Sequence, residues 1–179
     1  MAITTKSMNC CITDESHQQV DEDTCAGVLE ANRCGRCEDH GKPVSRKTIL
    51  LMLRPELLEQ AMSGSYSFCA TRNCPVVYFE DGGNHQFTID DLRIRVGLKV
   101  NEGPIPLCYC FGFEESDVRD EIAQTGSTTI LERISRLIRE GLCACDARNP
   151  AGVCCLGEVN ITAKRLSSQG SESAASKDR

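Results

Sequence analysis

Cysteines carry the chemistry available to this sequence. Two pairs in its first half, Cys34-x2-Cys37 and Cys69-x4-Cys74, each fall in turn-forming sequence. Two such knuckles facing each other place four sulfurs at the corners of a tetrahedron, the closed geometry of structural zinc. Zn2+ has no redox chemistry and four thiolates leave no position for water, so this site is assigned to folding and not to catalysis. His40, three residues after Cys37, is the rival for one position, since mixed cysteine and histidine sites are common; four cysteines are the preferred set.

A second group lies further along: Cys108-x-Cys110, then 34 residues to Cys145 and nine more to Cys155, with Cys143 and Cys154 as close competitors. A C-x-C pair and two further cysteines after a pair of helices can surround a 2Fe-2S cluster, two ligands for each iron. Neither bacterial nor plant-type ferredoxin spacing is present, and a second zinc site using the same thiolates is the alternative. Backbone amides of the Tyr109-to-Gly112 turn and of Asn149-Pro-Ala-Gly152 are placed to hydrogen-bond the sulfurs.

Composition agrees with metal-supported folding. Thirteen cysteines in 179 residues, beside 4% aromatics and no Trp, exceed what a packed core of this size needs. The net charge of −6 offers no concentrated positive face, which excludes nucleic acid as a partner. No run of 18 apolar residues and no signal peptide is present, so the expectation is a cytoplasmic protein without membrane insertion. Thiols stay reduced in that compartment, and an odd number cannot all pair internally.

The elements that must position these sulfurs divide into an arm and two halves. Residues 1 to 30 read as a mobile arm with Cys10, Cys11 and Cys25, the vicinal pair reading either as a transient Cu(I) capture site or as spare surface thiols. Residues 31–103 read as the zinc-binding half. Ser45 caps a short helix that Pro55 interrupts, Tyr66 to Phe79 form a hairpin whose turn carries Cys69 and Cys74, and Asp81-Gly-Gly-Asn84 makes a second turn. Phe87–Ile89 and Leu92–Val96 alternate with period two, as strands do.

Residues 104–162 read as the helical half: a helix capped by Ser116, then a helix with the stripe Ile130, Leu131, Ile134, Leu137 and Ile138, opened by a Thr129 and Glu132 capping box and stopped by Gly141. Residues 163–179 are polar and read as a disordered tail. His17 and His85 read as solvated surface residues. The fold class is α+β: a small, mostly β half around zinc, followed by a helical half around the second group. No catalytic triad, carboxylate pair or phosphate loop is present, so no catalytic residue is assigned and the protein is not read as an enzyme.

The stretch Cys108-Tyr-Cys110-Phe-Gly112, followed by Cys143-Ala-Cys145-Asp-Ala-Arg-Asn149-Pro150-Ala-Gly152-Val-Cys154-Cys155, resembles the N-terminal domain of CopZ-type copper chaperones, whose cluster half is similar to bacterioferritin-associated ferredoxin. Val76–Phe79 and Leu92–Gly97 match it too, and the resemblance spans about residues 31 to 160. It implies mononuclear zinc on Cys34, Cys37, Cys69 and Cys74, and a 2Fe-2S cluster on Cys108, Cys110, Cys145 and Cys155. The Cys-x3-Asn-Pro-x-Gly-x-Cys-Cys ending supports Cys145, whereas the shorter ferredoxin pattern favours Cys143; Cys154 competes with Cys155.

The resemblance further implies a metallochaperone-like redox protein for copper or another soft heavy metal, in which the cluster gives one electron to an ion such as Cu(II). A redox protein or a metal-transport ATPase is the implied partner, and a ferredoxin-like electron carrier without cargo is the alternative. The archetype also carries a C-terminal M-x-C-x-x-C domain, which the Ser-rich end of this sequence does not match, nor does Met8-Asn-Cys10-Cys11. Two loaded centres of about −2 each bring the formal charge to roughly −10, which favours cations and basic partners.

Overall fold

The computed structural model describes residues 32–175; the expected arm over residues 1 to 30, with Cys10, Cys11, Cys25 and His17, lies outside the described residues. The first half is built on a four-stranded antiparallel sheet of β1 (Lys42–Val44), β2 (Tyr66–Phe68), β3 (Val76–Glu80) and β4 (Gln86–Thr88), in that spatial order. Tyr66 pairs with Glu80 and Phe68 with Tyr78, which leaves Cys69 and Cys74 in the β2–β3 connection, as the hairpin reading expects. Helix α1 (Arg46–Met52) is capped by Ser45, whose hydroxyl accepts the Thr48 N–H at 3.1 Å. Pro55 then opens a 3-10 turn, Pro55–Ala61, where its missing N–H costs nothing.

The period-two reading of Leu92–Val96 is corrected. The Asp91 carboxylate accepts from Thr88 N–H at 2.7 Å and from its hydroxyl at 2.9 Å, and this capping box coils Ile89–Asp91 into a 3-10 turn. Leu92 forms an isolated bridge to Leu53, and a further 3-10 turn covers Gly97–Lys99. His85 is also not a solvated side chain: it is half-buried, its Nδ1 lies 3.1 Å from Tyr66 Oη, and its ring stands edge-on to Phe87 at 4.6 Å.

The second half opens with β5 (Pro106–Cys108) paired to β6 (Phe113–Glu114), the turn between them carrying Cys110. Helices α2 (Glu115–Thr125), α3 (Ile130–Arg139), α4 (Cys145–Arg148) and α5 (Leu156–Ala175) follow. Glu114, not Ser116, caps α2, in a reciprocal box with Asp117, and Gly126 ends it at φ 81°, a left-handed conformation that glycine adopts without steric penalty. The Thr129 and Glu132 box does not form, because Glu121 takes both the Thr129 hydroxyl, at 2.8 Å, and its N–H, at 3.0 Å.

The disordered tail expected over residues 163–179 is corrected for residues 163–175, and residues 176–179 lie outside the described residues. Residues 156–175 are helical, and Val159, Thr162, Ala163 and Leu166 of α5 are buried. Val159, Ala163 and Leu166 pack with Val118 of α2 and Ile130 and Ile134 of α3, so the burial of an apolar stripe outweighs the poor intrinsic order of the polar sequence around it. Glu115, buried at the start of α2, receives both Arg119 and Arg165, fastening α5 to α2. Among the described residues no helix is long and apolar enough to cross a membrane. The architecture is α+β, a sheet-rich half followed by helices.

Candidate metal centres

In the first half, the Cys34 to Cys37 turn is closed by Glu38 N–H to Cys34 O at 2.8 Å and Cys34 N–H to Asp39 O at 2.9 Å, with Glu38 left-handed at φ 63°. Opposite it stands the β2–β3 connection, where Cys74 N–H reaches Thr71 O at 3.1 Å. The Sγ atoms of Cys34, Cys37, Cys69 and Cys74 all lie within 4.8 Å of one another, with Cys37 to Cys69 at 3.6 Å and Cys34 to Cys74 at 3.9 Å. Zinc–sulfur bonds of about 2.3 Å in a tetrahedron set sulfurs about 3.8 Å apart, so the donor set fits zinc. His40 is exposed and outside this group.

The surroundings separate the four thiols. Burial pushes Cys74 up to about 12 and raises Cys34. Burial opposes ionisation of Cys37 too, yet hydrogen bonds with Thr71, the Asp39 amide and the neighbouring thiols outweigh it and hold Cys37 at about 7. Thr71 Oγ1, 3.3 Å from Cys37 Sγ, also lies against the Asp39 carboxylate, so its one hydroxyl proton serves either the thiolate or the carboxylate. Val76 and Phe79 of β3 pack against the sulfurs and shut out water.

The second group is assembled from three places. Cys108 ends β5, Cys110 sits in the turn after it, Cys145 begins α4, and Cys155 immediately precedes α5. Cys110 and Cys145 bring their sulfurs to 3.6 Å, and the Ala144 N–H donates to Cys110 Sγ at 3.4 Å. The neighbouring Cys155 thiol, with the Phe111 and Cys110 amides, lowers Cys108 to about 6 despite burial, and the Cys108 thiol in turn raises Cys155. Burial, then the Cys110 thiol, pushes Cys145 up to about 12. Among the described residues only the first group gathers four ligand atoms within 4.8 Å; in the second, Cys110 and Cys145 form a close pair and Cys108 and Cys155 are electrostatic neighbours.

Cys108, Cys145 and Cys155 are buried, while Cys143 is half-buried and Cys154 exposed. One expectation about the amides is corrected. Within Asn149–Gly152, Asn149 N–H serves Cys145 O, Ala151 N–H serves Asn149 Oδ1, and Gly152 N–H serves Asn149 O, so that turn spends its donors on itself. The sequence reading also missed how the first half holds these loops. Tyr78 of β3 donates to Pro150 O at 2.8 Å, and Thr48 of α1 donates to Asp146 O at 2.5 Å, so sheet and helix both grip the segment between Cys145 and Cys155. A cavity of ≈ 300 Å³ between the halves is lined by Phe68, Leu98, Tyr109, Pro150, Cys154 and Cys155.

Residues 31–93 match the zf_CopZ family, described as a zinc binding domain. The copper chaperone CopZ of Archaeoglobus fulgidus is 31% identical over 123 residues, 69% of this chain; the chain spans 57% of that relative's length. The solved N-terminal domain of the Archaeoglobus fulgidus CopZ superposes with a TM-score of 0.60 at 28% identity, over 72% of this chain and 95% of the domain. The chain thus carries a CopZ-like zinc-binding domain, with a CopZ as homologue and a CopZ N-terminal domain as structural neighbour.

Proposed function

We propose that this protein is a two-centre metallochaperone of copper or a similar soft metal, in which Cys34, Cys37, Cys69 and Cys74 hold structural zinc, and Cys108, Cys110, Cys145 and Cys155 hold a 2Fe-2S cluster. The observation that carries the reading is the contrast between one compact sulfur quartet and a more open group built around the close Cys110 and Cys145 pair, on a chain homologous to a copper chaperone. The compact quartet suits a single ion. The more open group, with Cys110 and Cys145 at 3.6 Å and Cys108 perturbed by Cys155, suits two irons. When bound, such a cluster supplies one storable electron, the equivalent that takes a Cu(II) cargo ion to the thiophilic Cu(I).

The chain's own residues supply the rest. Cys108 is already inclined to the thiolate that metal binding requires, and the Ala144 amide stabilises charge on Cys110. The exposed Cys154 and the cavity beside Cys155 give a soft cation a path to the second centre. Delivery to a redox protein or a metal-transport ATPase belongs to the same proposal.

The test is iron, acid-labile sulfide and zinc per chain in anaerobically purified protein, followed by stoichiometric Cu(II) added to the reduced form. One zinc, two irons and two sulfides, with reoxidation matched by Cu(I), are expected. Colourless, iron-free material after repeated reconstitution overturns the redox reading, and reoxidation without Cu(I) overturns the cargo.

A further inference from the structure

The C-x-C loop of the second centre is tied to the cysteine loop of the first by a single short turn. Tyr109 stands between Cys108 and Cys110, and its hydroxyl reaches across to the first half, where it accepts the Gly97 N–H at 2.8 Å and donates to Arg95 O at 3.4 Å. Gly97 opens the 3-10 turn Gly97–Lys99 and lies so close to the second half that a Cβ there would fall 1.9 Å from Pro106 O, two residues before Cys108. The far end of the turn is Lys99, a buried lysine, 9% exposed. Its Nζ donates to Thr71 O at 2.7 Å and to Cys74 O at 3.1 Å, in the loop that carries Cys69 and Cys74.

A lysine is rarely this buried, and here its ammonium serves two carbonyls of that loop, Thr71 O also accepting the Cys74 N–H at 3.1 Å. From these contacts we infer that Tyr109 and Lys99 are positioning residues: through Gly97 they clamp the Cys108-x-Cys110 loop to the Cys69 to Cys74 loop, so that the zinc half sets the geometry of the second centre. The inference rests on the proposed assignment of a cluster to that centre. A metal site whose outer contacts fix ligand orientation typically loses 10 to 100-fold in affinity or activity when such a contact is removed.

The experiment uses the full chain, zinc-loaded and reconstituted with iron and sulfide, as wild type, Tyr109→Phe, Lys99→Met and the double variant. Tyr109→Phe keeps the ring and removes only the hydroxyl. Zinc per chain, the visible circular dichroism of the cluster and its half-life under a fixed chelator challenge are measured. Each single variant is expected to retain one zinc, alter the cluster's dichroism and shorten its half-life several-fold, and the double variant to be no worse than the more severe single one, because both residues hold the same turn. Wild-type dichroism and half-life in both single variants overturn the inference, as does a double effect equal to the product of two independent ones.

If not even the wild type takes up iron, the cluster assignment fails by itself, and the clamp is then read in the zinc-loaded, iron-free protein. Alkylation of the buried Cys108, mapped by mass, reports loop opening there. A several-fold faster rate in both single variants sustains the clamp, and unchanged rates overturn it.

Discussion

The two cysteine groups use one kind of donor atom in different frames. The first is held by a knuckle turn and a hairpin connection, elements a few residues long, with four sulfurs mutually close and no helix contributing a ligand. The second draws its sulfurs from a strand end, a turn and the starts of two helices, and the apolar cluster around Val118, Ile130, Ile134 and Val159 stands beside it. A site made of turns has little else to specify it and depends on the ion, whereas a site set into packed helices has a scaffold of its own. Metal dependence should therefore differ between the halves even though the ligands are the same.

Zinc removal is the strongest way to break that contrast. Structural zinc contributes on the order of 10 kcal/mol in small domains, comparable with the whole stability of many proteins. Cys74→Ser, or chelation, should unfold the first half, seen as loss of near-ultraviolet dichroism from Tyr66 and Tyr78, while helical dichroism from α2, α3 and α5 largely persists. Simultaneous loss of both signals would mean that the second half has no independent scaffold.

Ligand identity sharpens the comparison next. Cys145→Ser and Cys155→Ser are expected to abolish iron uptake, and Cys143→Ser and Cys154→Ser to leave it near wild type, because the first two are buried with sulfur partners and the others are half-buried and exposed. Iron per chain after anaerobic reconstitution decides it, and retention of iron by Cys145→Ser would move the ligand to Cys143.

Acid reads the same centre without iron. In the zinc-loaded, iron-free chain Cys108 is held at about 6, below an ordinary thiol, chiefly by the neighbouring Cys155 thiol. A depressed folded-state value contributes stability that is complete above the ordinary thiol range and is lost as pH falls through about 6. Thiolate absorbance should show one group titrating near that pH, absent in Cys108→Ser, and the denaturation midpoint should fall over the same window. A midpoint flat between pH 8 and 5 in wild type would contradict it.

Much of the site was legible because spacing constrains turns directly. Cys34-x2-Cys37 and Cys69-x4-Cys74 needed only local chain reversal to expose their sulfurs, and the Tyr66 to Phe79 hairpin and the Ser45 cap follow from residue chemistry within a few positions. What escaped was set by distant partners. The helical state of residues 163 to 175 depends on burying Ala163 and Leu166 against α2 and α3, which polar composition alone conceals. Glu121 displaces the expected Thr129 box from eight residues away, and Lys99 carries no sequence mark of its burial among carbonyls. Side-chain competition across the fold is invisible to a window of local sequence.

The contacts between the halves test how the two frames are joined, and the buried one should matter more. Tyr78 Oη donates to Pro150 O at 2.8 Å inside the protein, so Tyr78→Phe strands a buried carbonyl and is expected to cost about 1–3 kcal/mol in chemical denaturation. Arg72, in the loop between Cys69 and Cys74, pairs with Glu158 of α5 at 3.0 Å, but their side chains are 57% and 37% exposed. Water and salt screen such a pair, so Arg72→Ala should cost about 0–1 kcal/mol and lose even that at high ionic strength. A penalty for Arg72→Ala as large as that of Tyr78→Phe, and insensitive to salt, would show that surface charge and not the buried tyrosine joins the zinc half to the helices.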